Sequence, residues 1–103
     1  MNRILQSMTE LIIKSDRPEA ARAEITAAIE GQRRFVQAGV EKTRSRLRQL
    51  EKQYSLTTEQ LLSKAEQKSF EDNNLDFHDW IGEAKTLELL EDELKLLEEI
   101  RIC

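Results

Sequence analysis

One histidine and one tryptophan occur in the chain, and both lie in NNLDFHDW, residues 73–80, beside Asp76, Phe77 and Asp79. An imidazole among carboxylates can serve as a general base or a metal ligand, so His78 with Asp72, Asp76 and Asp79 is the first candidate for chemistry. A zinc site would need another nitrogen or sulfur ligand. The sequence offers no second histidine, and its single cysteine is Cys103, the last residue. The aspartates also lack the regular ligand spacing of a calcium loop. A general base needs a nucleophile or a substrate pocket, and no glycine-rich loop or second titratable constellation lies nearby. A helix start explains the same residues better. Asn74 immediately precedes a periodic apolar run, where its side chain can accept from the amide of Asp76 or Phe77, and Asp76 and Asp79 suit the positive end of a helix dipole. Phe77, Trp80 and Ala84 then share one face, with His78 and Asp79 elsewhere. The expectation is a non-enzymatic protein with no catalytic residue, no cofactor and no metal.

The elements that would hold this stretch are helical. Of the 103 residues 35% are charged, with 3 glycines and 1 proline, so few turn-makers stand among many residues suited to exposed helix faces. Ile4, Leu5, Met8, Leu11 and Ile12 form one stripe of an amphipathic N-terminal segment over residues 1–15. In SDRPEA, Asp16 with Glu19 spells a capping box and Pro18 suits a first turn. Ile25, Ile29, Gln32, Val36, Val40, Thr43, Leu47, Leu50 and Tyr54 then alternate steps of four and three, a coiled-coil-like seam on a helix spanning 17–54. Gly31 and Gly39 mark a bend or a close helix contact. Thr57 and Gln60 form a second capping box, with Leu56 and Leu61 as its staple, opening a short helix over 58–69. EDNN breaks it. A terminal helix over 75–102 carries Phe77, Trp80, Ala84, Leu87, Leu90, Leu94, Leu97 and Arg101 on its inner face, widened by Leu89, Leu96 and Ile100. The predicted fold is all-α: one helical domain over 1–103, an antiparallel hairpin of two long helices joined by a short helix. The first long helix outruns the other by roughly 15 Å at 1.5 Å per residue, so its beginning needs another surface, from the first segment or from a second copy. A homodimer is expected.

Charge divides along the chain. Residues 1–55 hold 11 basic and 7 acidic residues, residues 56–103 hold 5 and 13, and the total is −4. The basic run Arg33, Arg34, Lys42, Arg44, Arg46, Arg48 and Lys52 has few interleaved aromatics. Its expected role is pairing with the acidic LEDELKLLEE or simple solvation, and nucleic-acid binding through Arg33, Arg34, Arg44 and Arg48 is the alternative. The single cysteine fits a reducing cytoplasm, and no signal peptide or membrane span is read.

From Tyr54 onward the sequence YSLTTEQLLSKAEQKSFEDNNLDFHDW resembles the small antitoxins encoded beside toxin genes in bacteria and archaea, in a match that covers about half the chain. The matching positions are Tyr54, Leu56, Thr57, Glu59, Leu62, Asp72, Asp76, Phe77, Asp79 and Trp80, followed by a Leu/Glu-rich helix; Glu71 to Asn74 replace a Gly-Asp-Asp turn. The resemblance implies a protein that masks a cognate toxin by laying a helical surface over it. Ile4, Leu5, Met8, Leu11, Ile12, Phe77, Trp80, Leu87 and Leu94 are the candidate partner-binding residues. A plain coiled-coil scaffold is the remaining alternative.

Overall fold

The computed structural model describes residues 9–66 and 74–102. Three helices follow one another: α1, Pro18–Tyr54; α2, Thr58–Glu66; and α3, Leu75–Glu99. The long helices α1 and α3 pack side by side as an all-α hairpin with α2 at its closed end. The molecule measures 59 × 31 × 20 Å.

The predicted seam on α1 is the one that packs. Val36, Val40, Thr43, Leu47 and Leu50 are buried along it. Burying each aliphatic side chain of this size stabilises by about 1.5–3 kcal/mol before entropy is set against it. Gly39 lies against α3: a Cβ built there would stand 3.3 Å from Cδ1 of Leu90. Gly31, by contrast, faces open space.

That Gly39–Leu90 contact also fixes the register. Counting outward in antiparallel sense puts Glu99 level with Glu30, so residues 18–29 of α1 project past the end of α3 by roughly 18 Å at 1.5 Å per residue. The expected overhang is present.

Helix ends differ from the sequence expectation in three places. Over residues 9–13 the backbone is irregular and exposed rather than helical, while residues 1–8, with Ile4, Leu5 and Met8, lie outside the described residues. A short amphipathic stretch holding Ile12 and Ile13 has little intrinsic helicity without a surface to bury its apolar side. Secondly, Asp16 is not the cap of α1. Pro18 occupies the first turn and confines the residue before it, so the cap position falls on Arg17, in an extended conformation with no side-chain cap bond. The Arg17 amide donates instead to Oγ of Ser15 at 3.0 Å. Thirdly, α3 stops at Glu99, with Ile100 extended, so Arg101 is outside it. Two acidic residues, Glu98 and Glu99, at the negative end of the dipole and no base in the last turn disfavour continuation.

The remaining ends form as predicted. Gln60 N–H donates to Thr57 Oγ1 at 3.0 Å while Thr57 N–H donates to Gln60 Oε1 at 2.9 Å, the reciprocal capping box. Asn74 Oδ1 accepts from Phe77 N–H at 3.2 Å and so caps α3. Residues 67–69, the expected end of the short helix, lie outside the described residues.

Candidate partner-binding surface

At the closed end, Tyr54, Leu56, Asp76, Phe77 and Trp80, five of the positions that carry the resemblance, are buried or half-buried. Leu47, Leu50, Leu61 and Trp80 form the buried cluster, and Tyr54, Leu56, Phe77, Ile81, Ala84 and Leu87 pack around it. The Tyr54 and Phe77 rings meet edge to face with centroids 5.1 Å apart, and Trp80 lies 6.0 Å from Tyr54 and 6.3 Å from Phe77. A relay of hydrogen bonds ties the three helices together. Trp80 Nε1–H donates to Thr58 Oγ1 at 2.9 Å, and both the hydroxyl and the amide of Thr58 donate to Glu51 Oε2 at 2.8 Å. Tyr54 O–H donates to Asp76, and this bond, reinforced by desolvation, raises the phenol above its ordinary value near 10. Ser55 turns the chain with φ of 50°, and the Leu56 amide closes the end of α1 on Glu51 O at 3.2 Å. Such a left-handed residue is usually glycine, so Ser55 carries local strain.

The residues expected on a partner surface fall into two groups. Trp80 is fully buried, and Phe77, Leu87 and Leu94 are half-buried against the hairpin. In this structure they hold the helices together. Leu11 and Ile12 behave in the opposite way, being 91% and 81% exposed, with Ile13 beside them also exposed. Leu62, Glu59 and Asp79 face solvent, and Asp72 lies outside the described residues. His78 is exposed, and among the described residues no three His, Cys, Asp or Glu side chains come together as a metal site.

The open end of the hairpin carries a cleft of about 490 Å³ between the start of α1 and the chain leaving α3. Ile29, Leu97, Ile100 and Ile102 give it an apolar floor, and Glu30, Arg33 and Glu98 line its edge. Arg33 pairs with Glu30 one turn away, which lowers the Glu30 carboxyl and raises the guanidinium. Residue spacing did not single out this cleft, because Ile100 and Ile102 line it from extended chain rather than from a helix.

The basic run is only partly neutralised by α3. Arg44 bridges to Glu91 at 2.6 Å, and Gln32 donates to Glu93 at 3.0 Å. Arg33 and Arg34 turn to Glu30 within α1. Among the described residues, Lys42, Arg46, Arg48 and Lys52 make no ion pair. Hence Arg33, Arg34, Arg44 and Arg48 do not assemble as one free cationic patch. No described helix is long and apolar enough to cross a membrane.

No protein-family model, curated protein or solved structure matches the chain significantly.

Proposed function

We propose that the protein is a non-enzymatic helical module that binds another polypeptide, acting as an antitoxin does when it covers a cognate toxin. The observation that carries this reading is the run Leu11, Ile12 and Ile13, solvent-exposed and a few residues ahead of the start of α1, which overhangs the end of α3. Contiguous exposed apolar surface of this kind marks interaction sites, because leaving it in water forfeits burial free energy that a partner can recover. The cleft formed by Ile29, Leu97, Ile100 and Ile102 offers a second apolar surface at the open end. Charge supports a basic partner: α3 holds nine acidic and two basic residues, and Arg44–Glu91 is its ion pair with α1. Acidic surface of this density would steer a cationic protein, such as an RNA-cleaving toxin, into contact. A cytoplasmic site of action goes with this reading.

Co-expression with the product of the adjacent gene tests it. The two products should co-purify, and Leu11→Asp with Ile12→Asp should abolish the association while leaving helicity unchanged. A neighbouring product that never associates with the intact chain would overturn the proposal.

Nucleic-acid binding is the weaker reading, since three of its four named arginines already face carboxylates.

A further inference from the structure

Away from the open end, one long flank of the hairpin exposes large apolar side chains in its middle. Phe35 on α1 is 73% exposed, and Leu89 and Leu96 on α3 are 70% and 57% exposed. They belong to one patch. Glu93 lies four residues after Leu89 and three before Leu96, so the three are neighbours on the surface of α3. Gln32, which reaches across to Glu93, is likewise one turn from Phe35 on α1. The hydrogen bond between Gln32 and Glu93 is thus ringed by Phe35, Leu89 and Leu96. Further along the same flank towards the closed end come Lys42 and Arg46, seven and eleven residues after Phe35, which make no ion pair among the described residues.

We propose that this flank is covered by a second copy of the chain, lying antiparallel to the first. The charge distribution along the hairpin selects both the occupant and its direction. The open half, residues 18–41 and 88–99, holds ten acidic and four basic residues; the closed half, residues 42–66 and 75–87, holds six acidic and seven basic. A parallel pair would set two strongly acidic halves together. An antiparallel pair instead lays each acidic half against the mildly basic half of its partner, bringing Lys42 and Arg46 towards the acidic open end of the partner. It also superposes the two Phe35–Leu89–Leu96 patches at the centre, the self-complementary arrangement that a two-fold interface requires. Apolar centre and charged rim together match the ordinary anatomy of a protein interface. The patch shares no residue with Leu11, Ile12 or the lining of the open cleft, so this inference stands whether or not the toxin-masking proposal does.

Sedimentation velocity on the purified full chain tests it. The expected result is a dimer that weakens on raising salt roughly tenfold, because the rim attraction is screened. Phe35→Glu with Leu89→Glu should raise the dissociation constant by at least about 30-fold, equivalent to losing a hot spot of ~2 kcal/mol. Lys42→Glu with Arg46→Glu should weaken it by a smaller factor, and Leu11→Asp with Ile12→Asp should leave it unchanged. Circular dichroism confirms in each case that helicity is retained. A chain that stays monomeric overturns the proposal, as does a dimer indifferent to the Phe35 and Leu89 changes or one strengthened by salt. A monomer destabilised by the Phe35 and Leu89 changes would assign the flank to the chain's own first residues instead.

Discussion

At the closed end of the hairpin, Trp80, Leu50 and Leu61 have almost no contact with water, and every polar group among them has a partner: the indole on Thr58, Thr58 on Glu51, Tyr54 on Asp76. At the open end, Ile29, Leu97, Ile100 and Ile102 line a cleft, and Leu11 and Ile12 project into solvent. Apolar residues are present in both places, so composition does not separate them. What differs is the number of surfaces converging. Three helices meet at the closed end, and aromatic rings from α1 and α3 close over the staple of α2. At the open end α3 has already stopped, and among the described residues no helix lies opposite the start of α1. One end holds the fold together. The other leaves apolar side chains in contact with water.

The contrast can be broken most severely at Trp80. Trp80→Ala should cost about 3–5 kcal/mol through lost burial and a cavity, read as a large fall in the thermal midpoint by circular dichroism. Thr58→Val keeps the volume but strands the indole N–H and removes a donor from Glu51, a loss of about 1–3 kcal/mol, measured as a lower urea midpoint at unchanged slope. Leu97→Ala at the open end should cost only about 1 kcal/mol, because the side chain is half-exposed and the cleft already stands open. A cost equal to that of Trp80→Ala would erase the distinction between the ends.

Smaller effects sharpen the same comparison. Gly31→Ala meets no atom within 4 Å and should stabilise by about 0.5–1 kcal/mol through helix propensity. Gly39→Ala should gain less, because Leu90 must give way to the new methyl group. The difference between the two variants reports how tightly the helices meet at that level. The smallest effect is a pH dependence. Tyr54 has a higher pKa folded than unfolded, so its bond to Asp76 contributes fully below about pH 10, and that contribution is lost as pH rises through the raised folded value. Tyr54→Phe should flatten this alkaline fall in denaturation midpoints.

Much of the architecture was legible because it rests on local rules. The steps of four and three from Ile25 to Tyr54 place the buried face of α1, and the Thr57–Gln60 and Asn74–Phe77 pairs mark the starts of α2 and α3 within the sequence itself. Asp16 misled because Pro18 acts on the residue before it, so the cap moved to Arg17. The end of α3 was missed because leucine periodicity continues towards Ile100, while the electrostatics of Glu98 and Glu99 oppose a longer helix. The candidate surface was legible only in part. Leu11 and Ile12 are apolar residues that the structure leaves exposed, whereas Phe77, Trp80, Leu87 and Leu94 are apolar residues that the hairpin uses for itself. Spacing assigns a residue to a helix face, but whether that face meets a neighbour depends on where the opposing helix ends.

Native-state hydrogen exchange across the full chain tests the central claim most directly, since it reads local opening free energies residue by residue. The amides of residues 47–54 and 78–87 should exchange slowest, at rates set by global unfolding, while those of residues 21–29 and 94–99 should exchange much faster through local opening. Equal protection at both ends, or slower exchange at the open end, would contradict the assignment of stability to the Trp80 cluster and of binding surface to the overhang.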